Sequence, residues 1–424
     1  MQRPRRRVLQ ALGAGLSVTA GCLDGDSSPT PTNTETQVTT KPTESPTEPE
    51  TDRLTTDPGG GFRWAFDLGE SAVRPLRSGD SVLTGTKEGV VRALDADGRV
   101  RWRTELPNAI DSGAVGEPFA LHQGHLLVVT GENQGTGGEE YVAHALNPET
   151  GEERWSYTLG RDWMGVLGSV AGGIAVGEGD DAIGPSSDRT ALVEPDGTER
   201  WVAETGDPNA VADGGGRVYV GAYGAVRGFD AGTGEQLWQV ETTPSYLGLA
   251  GDATRLYAVE EVESGNVLVA RDGETGERRW GREWFATSVY RAAEAGVVAG
   301  GERLVSFAPD GTERWSYPPG GSAYGPATEE LLFTSPGSDL AAVSLTDGSE
   351  RWRVDANDAF PRAYGGGLLV SEVLGEGRYL AHDAATGEAT WSVTLDAERN
   401  PGVAVGSKIV YLVTADGTLL ARDR

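Results

Sequence analysis

The most regular feature of the chain is a short apolar strand, a polar turn that ends in glycine, and a tryptophan four positions later. It reads Ala93-Leu94-Asp95-Ala96-Asp97-Gly98 and then Trp102. The unit recurs at Gly151/Trp155, Gly197/Trp201, Gly234/Trp238, Gly276/Trp280, Gly311/Trp315, Gly348/Trp352 and Gly387/Trp391. Asp-Gly or Thr-Gly between two apolar runs predicts a hairpin, with glycine taking the positive φ. After the turn the side chains alternate. Trp102, Thr104 and Leu106 share one face, while Arg101, Arg103 and Glu105 share the other. The indole therefore points into sheet packing and the charges point to water. Burying one indole removes about 150–250 Å² from water, roughly 4–6 kcal/mol of transfer free energy.

Another strand pair precedes each hairpin, as in Arg217-Val218-Tyr219-Val220 and Lys408-Ile409-Val410-Tyr411-Leu412. Successive tryptophans of the series lie 35–53 residues apart. Four short strands in a period near 40 residues are the signature of a propeller blade. The expected fold is all-β, a single β-propeller of four-stranded blades over residues 61–424. The blade number is eight, or nine if the two ends of the chain complete one more. Phe62-Arg63-Trp64, preceded by Gly60, starts with a tryptophan strand. Leu419-Leu420-Ala421-Arg422-Asp423 stops before one.

The hairpin unit resembles the tryptophan-docking repeat of quinoprotein propellers, and the resemblance covers residues 61–424. With Val18-Thr19-Ala20-Gly21-Cys22, which has the form of a lipoprotein box, ahead of this propeller, the chain resembles the outer-membrane assembly factor B group of propeller lipoproteins. The resemblance implies that each docking tryptophan (Trp64, Trp102, Trp155, Trp201, Trp238, Trp280, Trp315, Trp352 and Trp391) packs on the turn of a neighbouring blade. Gly98, Gly151, Gly197, Gly234, Gly276, Gly311, Gly348 and Gly387 are the turn glycines. Two units depart from the pattern. Ala308-Pro309-Asp310-Gly311 lacks the acid before its turn, and Ser344-Leu345-Thr346 replaces it in the next unit.

Residues 1–21 read as an export signal. Arg5-Arg6-Arg7-Val8-Leu9 resembles a twin-arginine leader, and the apolar run to Ala20 is shorter than the roughly 20 residues of a spanning helix. Val18-Thr19-Ala20-Gly21-Cys22 resembles a lipoprotein box, so Cys22 is the expected lipidation site and the membrane the expected first partner. Residues 22–60 are rich in Thr, Pro, Ser and acids and read as a disordered stalk. The protein is thus expected on the extracellular side of the cell membrane.

The chain carries 64 acidic and 36 basic residues, a net charge of −28, and three lysines, Lys41, Lys87 and Lys408. Many carboxylates and few lysines fit work in concentrated salt, where the Debye length falls to about 3 Å. This halophilic balance excludes nucleic acid as a partner, because phosphate contacts need clustered basic groups.

Catalytic signatures are missing from the sequence: there is no nucleophile elbow, Walker loop or His-Glu-x-x-His. The resemblance raises quinone chemistry with Ca²⁺, often with a vicinal disulfide. One cysteine, Cys22, excludes that disulfide. No cofactor and no metal are expected. His122-Gln123-Gly124-His125 reads as surface polar residues rather than a zinc pair. Glu178-Gly179-Asp180-Asp181, Glu132–Glu140 and Glu260–Glu263 read as solvated acidic stretches. Trp163 and Trp284 lie outside the docking position, where they pack between blades or offer a binding surface. The expected function is a protein-binding or scaffold module for another envelope protein. Two alternatives stay open: a quinoprotein dehydrogenase, and a solute- or carbohydrate-binding lipoprotein with a small-molecule ligand.

Overall fold

The computed structural model describes residues 53–424 except 70–71, 111–117, 132–140, 159–162, 180–187, 243–245, 263–264, 284–285, 294–295, 318–324 and 396–401. The export signal, Cys22 and most of the stalk lie outside the described residues. Short runs of Val, Leu, Ile and Tyr between glycine turns pair antiparallel with the next run in sequence. The described residues contain strands and no helix, arranged as nine sheets in a β-propeller: blades 1 to 8 follow in chain order over residues 76–105, 119–157, 163–204, 208–241, 246–283, 286–317, 331–355 and 359–394, and blade 9 joins residues 402–423 to 54–67. Blade 5 illustrates the plan, with strands Tyr246–Gly251, Arg255–Val262, Gly265–Asp272 and Arg278–Glu283 paired in that order. The first strand is innermost and the tryptophan strand outermost. Inner strands of adjacent blades press together closely. A Cβ on Gly214 would sit 2.1 Å from the Asp252 carbonyl oxygen.

Among the described residues the core is not one cluster but nine, each spanning one pair of adjacent blades. Between blades 5 and 6, Tyr257, Leu268 and Trp280 pack on Val297, Val305 and Phe307. Between blades 9 and 1, Trp64, Phe66 and Tyr411 pack on Val82 and Leu94. Stability is therefore distributed around the ring, and each junction depends on its own tryptophan.

Blade 9 forms from the two ends of the chain. Strand Phe62–Asp67 pairs with Thr418–Asp423, matching Trp64 to Ala421 and Phe66 to Leu419. The nine-blade closure is the one adopted, which leaves no open ring edge. Strand Leu54–Gly59 adds a fifth, outermost strand to this blade through pairs such as Leu54 to Phe66 and Thr56 to Trp64. The boundary read at residue 61 thus falls inside a hairpin. Residues 54–59 belong to the propeller because strand Phe62–Asp67 offers them a pairing edge and Leu54 packs beside Trp64. Among the described residues blade 7 has three strands, Leu331–Thr334, Asp339–Ser344 and Glu350–Asp355. Its inner side is held by one isolated bridge, Ala327 to Leu332.

Candidate functional site

Each junction starts from the turn chemistry of one hairpin. In blade 5, Asp272 Oδ1 accepts hydrogen bonds from the amides of Glu274 (2.9 Å) and Thr275 (3.0 Å). Its Oδ2 accepts one from Arg279 at 2.6 Å. The Arg279 bond and these amides hold the Asp272 carboxyl down at about 2. The turn so fixed presents a main-chain carbonyl to the blade before it, and the indole of that blade donates to it. Trp238 Nε1 donates to the Gly273 carbonyl at 3.1 Å. Trp64, Trp102, Trp155, Trp201, Trp280, Trp315 and Trp352 make the same bond to Ala96, Pro148, Pro195, Ala231, Pro309, Thr346 and Ala384, at 2.8–3.1 Å.

Glycine closes the contact. At Gly276, φ is +72°, and a Cβ would lie 2.7 Å from the Trp238 ring. At the other seven turn glycines a Cβ would also come within 2.5–2.8 Å of the docked indole. The position thus needs a left-handed backbone and has no room for a side chain. The two departing units compensate locally. Asp310 accepts the Thr312 amide at 2.9 Å in blade 6. In blade 7, Asp347 accepts both the amide and the hydroxyl of Ser349, and its carboxyl is held at about 2.

Trp391 of blade 8 differs. Its indole nitrogen is buried and, among the described residues, has no hydrogen-bond partner. The cause lies in the register of blade 9. Trp64 opposes Ala421 as Trp280 opposes Ala270, so Arg422 and Asp423 stand where Arg271 and Asp272 stand in blade 5. In blade 9 the paired strands Phe62–Asp67 and Thr418–Asp423 come from opposite ends of the propeller, so no continuous Asp-turn-Gly hairpin joins them for Trp391 to meet. The Arg422 guanidinium lies over the Trp391 ring instead, 4.8 Å from its centroid. Arg63 donates to Asp423 at 3.1 Å, across 360 residues of sequence. Arg279 and Asp272 make the same pair seven residues apart.

The remaining sequence-singled residues fall in three groups. His122 and His125 are not surface residues on a loop. They flank a two-residue hairpin between Phe119–His122 and His125–Thr130. His122 Nδ1 is hydrogen-bonded to Ser169 Oγ of blade 3 at 2.8 Å, and the His125 ring packs 5.9 Å from that of Trp155. Burial lowers both their pKa values, with Arg154 adding to the effect at His125. His382 is buried as well and its pKa is lowered by desolvation. Glu178 and Glu260 are likewise not solvated. Glu178 is buried and accepts from Arg189 at 2.9 Å. Glu260 is buried and accepts from Arg271 Nε and Nη2 at 3.0 and 2.9 Å. A buried carboxylate in this fold is tolerated because a cross-strand arginine compensates it. Glu261 is exposed, and Asp180, Asp181, Glu132–Glu140, Glu263 and Trp284 lie outside the described residues. The backbone of Trp163 opens the inner strand Trp163–Val170.

Among the described residues no group of three or more His, Cys, Asp or Glu could hold a metal ion. His144 sits between Thr130 Oγ1 (3.0 Å) and Glu153 Oε1 (3.1 Å). The Thr130 hydroxyl at its inner end is fully buried, so the relay ties blade 2 together and presents no nucleophile to solvent. The side chains that sequence reasoning missed are the ion-pair and ring partners Arg189, Arg271, Arg422 and Asp423.

The family model for the outer membrane protein assembly factor BamB matches residues 53–140, 138–296 and 336–424. The BamB of Yersinia pestis is 24% identical over 281 residues, 58% of this chain and 68% of that protein. The serine/threonine-protein kinase AfsK of Streptomyces griseus is 28% identical over 191 residues, 41% of this chain. The chain spans only 19% of that kinase's length. The crystal structure of BamB from Moraxella catarrhalis superposes with a TM-score of 0.43 at 16% identity, covering 84% of this chain and 97% of that one.

Proposed function

Because the chain belongs to the BamB family of propellers, we propose that it is a non-catalytic, protein-binding scaffold of the cell envelope. In this reading a lipid on Cys22 holds it to the membrane through the Thr- and Pro-rich stalk. The observation that carries it is the match of the BamB family model across most of the propeller. The site chemistry supports it. The conspicuous ionisable clusters, such as Asp272 with Arg279 and Glu260 with Arg271, are each occupied in holding a turn or a blade.

The partner is another envelope protein. Barrel assembly in an outer membrane belongs to the bacterial relatives, and it extends to this protein only in a cell that has such a membrane. Crosslinking in native membranes at molar salt, followed by capture of the propeller, tests the reading. One reproducible envelope protein is the expected result, and none in repeated captures would overturn it. Cys22→Ser should shift the protein from the membrane to the soluble fraction. Retention on the membrane would remove the anchor from the proposal.

A further inference from the structure

Nine outer strands face the rim of the ring, and each ends a sheet whose last row of amides and carbonyls is open unless another strand covers it. Natural sheets protect such edges with charge. Strands Val100–Glu105, Glu199–Glu204, Arg278–Glu283 and Glu350–Asp355 carry three to four charged residues each, and every other outer strand but one carries at least one. The exception is Ala389–Thr394 of blade 8, which reads Ala-Thr-Trp-Ser-Val-Thr and has none. Ala389, Thr390, Ser392 and Thr394 are exposed. The strand is also the one whose tryptophan, Trp391, lacks the bond to the next blade.

The neighbouring blade demonstrates what such an edge accepts. There Leu54–Gly59, with its sequence Leu-Thr-Thr-Asp-Pro-Gly, pairs antiparallel along the outer strand Phe62–Asp67. Blade 8 also carries Leu374, 53% exposed, in the turn that leads to Arg378, and Arg378 opposes Thr394. Glu388 is exposed at the other end of the edge.

We propose that strand Ala389–Thr394 is the docking edge of the propeller, and that it takes an extended strand of a partner protein. This inference rests on the scaffold reading and names its surface. The partner strand is uncharged over about six residues, with a basic residue toward Glu388 and an apolar one toward Leu374. A second copy of this chain is a poorer occupant, because its own edge, Glu388 to Leu395, brings no basic residue to meet Glu388. Main-chain pairing supplies the affinity, and the side chains at the two ends set register and direction.

The test uses the full chain and two capped peptides, acetyl-Lys-Thr-Val-Thr-Val-Thr-Val-Leu-amide and its reversed sequence. The readout is amide hydrogen exchange. Either peptide should slow exchange across residues 389–394 by tenfold or more, and its alternately N-methylated form should not. Ser392→Lys, at an exposed position, should abolish the protection, while Gln239→Lys on the outer strand of blade 4 should leave it intact. Unchanged exchange with both peptides at millimolar concentration, or protection that survives Ser392→Lys, would overturn the proposal. A wild-type dimer in sedimentation that Ser392→Lys dissolves would assign the edge to a second copy and overturn it too. If native-membrane capture returns the same partner with wild type and Ser392→Lys, this edge is wrong and the scaffold reading stands. If neither captures a partner, the scaffold reading fails whatever the peptides do.

Discussion

The junction between blades 4 and 5 and the junction between blades 8 and 9 are built from the same tryptophan strand and finish differently. At the first, Trp238 meets an unbroken turn, gives its proton to Gly273, and lies flat on Gly276. At the second, Trp391 meets two strands that no turn joins, keeps its proton, and is covered by Arg422. The local Arg279–Asp272 clamp becomes the Arg63–Asp423 clasp. A repeat can thus be cut within its turn and still close. The cut costs the hydrogen bond and the glycine contact, and a cation over the ring replaces them.

The sharpest way to break this comparison is truncation of the two tryptophans. Trp238→Ala should cost about 3–5 kcal/mol in chemical denaturation, since it empties a packed site and strands the Gly273 carbonyl. Trp391→Ala should cost about half as much, and equal losses would show that the seam is no weaker than an intact junction. Next come the glycines. Gly276→Ala should cost about 2–3 kcal/mol, from the positive φ and the clash with Trp238. Gly60→Ala should cost about 1 kcal/mol, because φ is +65° there but the nearest atoms, in Phe62, are 3.4 Å away.

A pH titration probes a third difference. The residue after the tryptophan's cross-strand partner touches the preceding indole, as Phe229 touches Trp201 and Phe307 touches Trp280. His382 holds this position in blade 8. Its folded pKa lies below the unfolded value near 6.5, as do those of His122 and His125. Above about pH 6.5 both states are neutral and these groups contribute nothing to the pH dependence. Below it the unfolded chain takes up protons that the folded one refuses, so stability falls by up to about 1.4 kcal/mol per pH unit for each group. His382→Leu should flatten that fall, and an unchanged slope between pH 6.5 and 5 would contradict a buried neutral ring. The smallest effect belongs to the clasp. Asp423→Asn should cost under about 1 kcal/mol at low salt and nothing measurable in molar salt, because the pair is largely exposed.

Much of the ring was legible because turn chemistry and strand alternation are local. Gly-x-x-x-Trp fixes a turn, a strand and a face within five residues. Strand Leu54–Gly59 was hidden because Thr, Asp, Pro and Gly read as linker, and only the edge of Phe62–Asp67 makes them a strand. The buried acids were hidden by composition, since in so acidic a chain a glutamate looks solvated by default. A usable signal existed: Glu178 and Arg189 stand 11 residues apart, as do Glu260 and Arg271, which is the reach from one strand to the next across a hairpin. The missing acceptor of Trp391 could not be read locally, because it follows from where the circle is cut.

The pairing of Phe62–Asp67 with Thr418–Asp423 also sets a schedule for biosynthesis. The clasp residues Arg63 and Asp423 lie 360 positions apart, so the first strand leaves the ribosome long before its mate exists. At ordinary rates of translation that wait is roughly 20–70 s. During it the nascent chain can stack blades one after another but holds an unmatched tryptophan strand at its head. Emergence of strand Thr418–Asp423 is therefore the event that permits the last step of folding, and a chain that lacked it would carry eight blades yet never become a circle.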